Sequence, residues 1–331
     1  MERMWKKYTE DLPEPRPSRL PTVTEGRVVI LTGSTGMLGS YMLARLVSDP
    51  QGNGMIQRGL TTDFSKCTFH HVDMTKQDFG LGSRVYDHLL SKADGIFLVA
   101  WPVNFNLPFE TFEPYVHGIR NVGKFASEDL KCVAAIFIST IDTCSGWDAV
   151  KGPVPELRLE DLKLPSTGYG QSKLIASLVL EDVANAGNFP ATIVRVGQIA
   201  GSEHETHIGV WNRHDDLAQK SRVDWVPAEK MVSFIFEVAG ESGYFHGVNP
   251  AATTWPELAR VIQEFYGQNR MSEVVSFRDW VGRLEESQTD DAQILHSNPS
   301  LKLPYLNQSI SAAEGQGKFP CISLKRDYIP S

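Results

Sequence analysis

The chain has 331 residues, 41% of them hydrophobic and 22% charged, with a formal net charge of −8. This ordinary globular composition excludes wholesale disorder, and the length suits one large α/β domain with a smaller lobe. The acidic balance argues against nucleic acid or an anionic membrane as partner, and no apolar run reaches the roughly 18–20 residues of a membrane span.

Residues 1–26 read as a leader or interdomain linker. Its start is charged and proline-rich, unlike a secretory signal, and Pro13, Pro15, Pro17 and Pro21 should keep it extended. Val28–Leu31 is a short apolar run ending at a glycine turn, as in a buried parallel strand. Met37–Val47 has helical spacing. Thr68–Val72 is expected to be the second strand, Ser83–Ser91 a helix and Gly95–Val99 a strand. A helix is expected over 112–128, a strand over 133–138, a long helix over 169–186 and a strand over 192–196. This alternation predicts a doubly wound, mostly parallel sheet over 27–201. Beyond Gly201 it weakens. A strand is expected at 244–248, with helices at 255–266 and 277–286 started by Thr254 and Ser276. Residues 202–331 are therefore read as a smaller, mainly helical substrate lobe, with some segments returning to the sheet. One element is wanting. A βαβαβ unit needs a strand between Pro50 and Thr68, and 51–66 offers none. Either the strand is absent or residues are missing from the chain near 50–51, and the second reading is favoured. The stretch 212–224 is similarly abrupt.

The four cysteines, Cys67, Cys132, Cys144 and Cys321, make no C-x-x-C pair and no zinc spacing. They read as free thiols of a reducing compartment, so a cytoplasmic protein is expected. His204, His207 and His214 read as a solvated loop, and no metal is expected.

Residues 32–39 read T-G-S-T-G-M-L-G, between the first strand and the first helix. Gly33 allows the tight turn. Gly36 lets backbone approach a pyrophosphate without a Cβ in the way. Gly39 lets helix and sheet pack closely. The free N–H groups of the following helix then face the phosphates. Asp73 is a candidate acceptor for an adenine amino group, with a turn or cap role as the alternative. Asn121 is a candidate brace of the sheet.

Tyr169 and Lys173 stand four apart on one helical face, and Ser139-Thr140 ends the preceding strand. A carbonyl that accepts hydride becomes an oxyanion and needs a proton. Tyr169 can give it, Lys173 is expected to lower the tyrosine pKa and hold the nicotinamide ribose, and Thr140 can donate a second hydrogen bond.

Further segments carry a likeness to a known family: A-W-P-V-N-F-N-L-P-F-E-T-F-E-P at 100–114, G-Y-G-Q-S-K at 168–173, R-V-G-Q-I-A-G at 195–201 and G-V-W-N at 209–212. V-D-W-V-P at 223–227 and V-N-P at 248–250 support it. Over 27–290 the chain resembles the extended short-chain dehydrogenase/reductases, a Rossmann-type fold. Its closer likeness is to the thioester reductase domains that end nonribosomal peptide synthetases, polyketide synthases and carboxylic acid reductases, the 100–114 segment resembling the fungal synthetase-like ones in particular. The resemblance implies Thr140, Tyr169 and Lys173 as catalytic triad. It implies Gly33, Thr35, Gly36, Met37, Leu38 and Gly39 at the pyrophosphate and Asp73 at the adenine. Ala100 and Trp101 would line the cofactor, with Val196, Gly197 and Gln198 beside the nicotinamide. Asn104 and Trp211 would face the substrate. The family reads the 2′-phosphate of NADP with an arginine ending the second strand, the strand not found here. Arg58 matches a further basic position only weakly, so NADPH is implied by the family alone.

The function so implied is NADPH-dependent release of an acyl thioester, held on a phosphopantetheinylated carrier domain, as an aldehyde or onward to an alcohol. The excised domain is expected to be monomeric. Two alternatives stand: a reductase of free small-molecule aldehydes or ketones on the same fold, and a non-catalytic dinucleotide-binding protein. The presence of Tyr169 and Lys173 weighs against the last.

Overall fold

The computed structural model describes residues 1–12, 28–47, 64–129, 131–201 and 222–266. In chain order these form α1 (Glu2–Thr9), β1 (Val28–Thr32), α2 (Met37–Val47), α3 (Ser83–Lys92), β2 (Ala93–Leu98) and α4 (Glu113–Glu128). Then follow β3 (Ala134–Thr140), α5 (Gly168–Gly187), β4 (Ala191–Val196), β5 (Ile199–Ala200), β6 (Arg222–Val223) and β7 (Val226–Pro227). Last come α6 (Ala228–Val238), β8 (Gly243–Gly247), β9 (Thr253–Thr254) and α7 (Trp255–Tyr266). The main sheet is wholly parallel in the order β1-β2-β3-β4-β8. Its strands are continuous apolar runs because both faces are covered. One core lies beneath α1, α3, α4 and α5, and includes Phe125, Phe137, Ile175 and Leu180. The other lies beneath α2 and α6, and includes Met42, Ile136, Val194 and Met231. Register brings Thr32 beside Leu98, and Thr140 beside Val196, which in turn faces Gly247, so the carboxyl ends form one edge. In such folds ligands bind at that edge.

Three expectations change. Residues 68–72 are not a strand. Phe69 and Val72 are 61% and 40% exposed. Three positions apart, they cannot share one face of a period-two strand. Residues 2–9, expected to be extended, form α1. Met4 and Tyr8 are buried and Met1 and Trp5 pack on the same core, a helical spacing that outweighs the prolines beginning at Pro13. Helix α6 is an addition. Its Met231, Val232 and Ile235 are buried, and it returns residues beyond 201 to the sheet. The expected helix at 277–286, the missing-strand region and the histidines at 204–214 lie outside the described residues. No described helix is long and apolar enough to cross a membrane.

Candidate active site

The glycine turn leaves β1 at Thr32. Its hydroxyl donates to the carbonyl of Phe97 at 3.2 Å and accepts from the Val99 and Ala100 amides at 3.0 and 3.2 Å. One side chain thus locks the turn to the end of β2. Gly33 has φ +75°, and a Cβ there would meet the Ala100 nitrogen at 2.7 Å. A Cβ on Gly39 would overlap the Gly33 carbonyl oxygen, whereas one on Gly36 would meet only that oxygen, at 3.4 Å. Gly33 and Gly39 are therefore fixed by the protein's own packing. Gly36 and Thr35 are exposed, and the space beside Gly36 is open, as a phosphate cradle requires. Leu38 is buried in the core under α2, so its contribution to a phosphate is its backbone N–H; Met37 packs on the same core.

Asp73 makes a turn. Its Oδ1 accepts from the Thr75 amide at 3.0 Å and hydroxyl at 2.6 Å, and those bonds hold its carboxyl below the usual range. Asn121 is buried and donates to the carbonyls of Met74 and Lys76 at 2.9 and 3.3 Å. It braces the Asp73 turn against α4 rather than one strand against another. Arg58 and Trp211 lie outside the described residues.

Beyond β2, Ala100 is exposed, and the Trp101 indole donates to the Ser172 hydroxyl on α5 at 3.2 Å. Asn104 is exposed, and its Oδ1 accepts from the Asn106 amide at 3.0 Å, stapling the loop. Thr32, Ala100, Trp101, Tyr115 and Phe137 line a small apolar cavity between the glycine turn and the triad.

The Lys173 amine bonds Ile138, two residues before Thr140 on β3, and lies 5.9 Å from the Tyr169 ring centroid. Thr140 ends β3, and its hydroxyl accepts from the Asp142 amide at 3.3 Å, leaving its proton free to donate. Tyr169 and Lys173 occupy the first turns of α5, which Thr167 caps by accepting from the Gly170 amide at 3.0 Å. Tyr169 is 7% exposed, with the Phe105 ring edge-on at 5.0 Å and Phe112 at 6.3 Å. The Lys173 amine donates to the Ile138 carbonyl at 2.5 Å and lies 4.4 Å over Trp101 and 4.5 Å over Phe137. Burial drives Lys173 well below its ordinary pKa and, together with the charge of Asp142, drives Tyr169 upward. The tyrosine thus shifts opposite to the expected lowering: desolvation and the charge of Asp142 raise it, and the desolvated Lys173 amine does not offset them. The result is a neutral phenol, the acid form that reduction consumes.

Val196 ends β4. The Gly197 amide donates to the Gly247 carbonyl at 2.9 Å, and the Gln198 carbonyl accepts from the Val226 amide at 3.0 Å, tying this wall to β8 and β7. Sequence reading missed two features. Asp142, two residues past Thr140, accepts from Thr167 at the start of α5. Its signal was a lone carboxylate directly after a buried strand. Arg195, 1% exposed, donates to the Pro155 and Leu157 carbonyls and lies 3.2 Å from His246 Nε2. An arginine inside an apolar strand was its signal. Among the described residues no group of His, Cys, Asp or Glu has metal-site geometry.

Relative to a carboxylic acid reductase of Neurospora crassa, the chain is 38% identical over 346 aligned residues, which take in 92% of the chain and 32% of that protein. The chain thus spans about a third of the length of that curated relative. The terminal R domain of the myxalamid PKS-NRPS pathway superimposes with a TM-score of 0.75 at 19% identity, covering 95% of this chain and 86% of that one. A thiolation-reductase di-domain of an archaeal nonribosomal peptide synthetase gives 0.58 at 18% identity, over 95% of this chain and 74% of that one. These two show the fold: a Rossmann-like sheet with flanking helices. The NAD-binding family model described as "Male sterility protein" matches residues 54–223, just over half the chain. The chain belongs to that family of nicotinamide dinucleotide-binding reductases.

Proposed function

We propose that the protein is an NADPH-dependent reductase that releases a carrier-bound acyl thioester as an aldehyde. The observation that carries this reading is the placement of Tyr169 and Lys173 on the first turns of α5, with Lys173 bonded to Ile138 two residues before Thr140, in a fold whose glycine turn leaves Gly36 open. The relatives favour a thioester over a free carbonyl as substrate. When bound, the dinucleotide supplies hydride.

The turn and the N-terminus of α2 would hold the pyrophosphate through backbone N–H groups, with no acidic side chain in the first helical turn to oppose them. Asp73 would take the adenine, while Ala100, Trp101, Val196 and Gln198 would line the nicotinamide. Asn104 and Trp211 would face the acyl chain. The reacting carbon gains hydride and its carbonyl oxygen gains negative charge. The Thr140 hydroxyl, its acceptor side already occupied by the Asp142 amide, donates to that oxygen. Tyr169 transfers its proton to it. The resulting hemithioacetal breaks its C–S bond and releases aldehyde and the carrier thiol. Lys173 would leave the Ile138 carbonyl to bind the ribose, take up one proton from solvent and pass it to the Tyr169 phenolate. The preference for NADPH, with Arg58 as a possible contributor, belongs to this proposal, as do the carrier domain as partner and a cytoplasmic site of action.

The test is consumption of reduced cofactor by purified protein with an acyl-pantetheine thioester, comparing NADPH with NADH and the thioester with small aldehydes. Thioester-dependent oxidation of NADPH is expected. Turnover of free aldehydes alone would replace this reading with the aldehyde or ketone reductase.

A further inference from the structure

Asp142 stands between the two halves of the triad. It follows β3 by two residues, in a 3-10 turn over Ile141–Cys144, and is half-buried. Its backbone amide donates to the Thr140 hydroxyl at 3.3 Å. Its carboxylate accepts from the Thr167 hydroxyl at 2.5 Å. Gly170 makes this possible, because a Cβ there would overlap Asp142 Oδ2. One residue therefore grips the end of β3 with its backbone and the first turn of α5 with its side chain. Tyr169 lies inside that turn.

We propose that Asp142 is a positioning residue that sets the register between the Thr140 hydroxyl and the Tyr169 phenol, with Gly170 as the gap that admits its carboxylate. The two donors must reach one oxyanion from different elements. Helix α5 is long and otherwise joined to β3 near this end by Lys173 and the Ser139–Ser177 contact. Neither of those fixes the first turn of α5, where Tyr169 sits. Asp142 also faces the phenol with negative charge, which favours the protonated acid. Among the described residues the titratable groups facing Tyr169 are Asp142 and, 5.9 Å from its ring, Lys173, and the loop side brings the rings of Phe105 and Phe112. Asp142 itself faces Tyr169 and the buried Cys144 thiol.

The inference rests on the reductase reading, and the experiment separates the two. Intact protein that consumes no reduced cofactor fails that reading. If the intact protein is active, Asp142→Ala is expected to lower kcat by about 10²-fold, the cost of misplacing a reacting group by an ångström. The KM for reduced cofactor should stay within about twofold. Asp142→Asn retains an acceptor for Thr167, so it should recover at least tenfold of the lost kcat. Lacking the charge, it should move the alkaline limb of the pH–rate profile to lower pH. Gly170→Ala should reproduce the kcat loss without touching Asp142, and keeps the test open if Asp142→Ala fails to fold. Turnover within about threefold of the intact protein in both Asp142→Ala and Gly170→Ala would overturn the assignment. So would a loss confined to KM, or an alkaline limb that Asp142→Asn leaves in place.

Discussion

Gly33 and Gly36 are three residues apart and should fail in different ways. In Gly33→Ala the new side chain adopts φ +75°, a left-handed conformation that costs about 1–2 kcal/mol outside glycine. Its Cβ would also meet three backbone atoms, the Ala100 nitrogen at 2.7 Å, the Ala100 Cα at 2.9 Å and the Val99 carbon at 3.1 Å. None of these can rotate away, so the turn or the end of β2 must withdraw, which adds about 1–2 kcal/mol of strain. At about 2–4 °C per kcal/mol for a domain of this size, the melting temperature should fall by about 5–15 °C without any ligand. Gly36→Ala meets only the Gly33 oxygen, at an ordinary 3.4 Å, and the ligand-free protein should melt within about 1 °C of the parent. Its cost appears on binding, where the methyl group occupies the approach to the pyrophosphate. Dinucleotide at a hundredfold excess over Kd stabilises a protein by about 2.7 kcal/mol, a rise of roughly 5–10 °C. A tenfold weaker Kd at the same concentration halves that rise. Thermal melts of the parent and both variants, with and without NADPH, give all of these values. A Gly36→Ala variant that keeps the full ligand-induced rise would refute the placement of the phosphates, and an unperturbed Gly33→Ala would refute the tightness of the turn.

Tyr169→Phe should abolish turnover while leaving the ligand-induced rise intact, read by cofactor oxidation and thermal melts on one preparation. Trp5→Ala removes a ring that donates to Asp182 at 2.7 Å and lies 5.5 Å beneath the Arg158 guanidinium. It should lower stability by about 2–3 kcal/mol in denaturant titration and leave KM unchanged, since α1 docks on the outer faces of α4 and α5. His246 is fully buried, and burial, with Arg195 beside it, pushes its pKa down to about 3 from an ordinary 6.5. The fold holds the neutral imidazole, so this stability is complete above pH 6.5 and is lost as pH falls from there towards 3. His246→Gln should flatten that slope, measured by denaturant melts across the range; an unchanged slope would assign the acid sensitivity elsewhere.

Much of the fold was legible because its strands are buried on both faces. Runs such as Ala134–Ile138 are apolar throughout, Ala191–Val196 is buried at every position, and glycine turns or capped helices frame them. The same logic misled at 68–72, where phenylalanine and valine lend strand character but their spacing fits neither face of a sheet. Helix α1 escaped because the prolines downstream dominated the reading, although Met4, Trp5 and Tyr8 already had helical spacing. The proposed triad was named from residue types and order. What sequence could not carry is the closed packing. Lys173 between Trp101 and Phe137, and Tyr169 under Phe105, depend on loops folding back over α5, and they reverse the direction in which the tyrosine titrates. Asp142 was invisible for the same reason: its partners Thr167 and Gly170 are some 25 residues further along the chain.

The central claim is hydride transfer to a thioester carbon with the proton supplied by Tyr169. It is tested most directly with an acyl-pantetheine thioester and NADPH deuterated at the hydride-bearing carbon, the products being identified by mass spectrometry. The account predicts an aldehyde carrying one deuterium on its carbonyl carbon, together with free pantetheine thiol, from the parent protein and from Tyr169→Phe none of either. Release of an unlabelled carboxylic acid, or labelled aldehyde formed equally well by Tyr169→Phe, would contradict it.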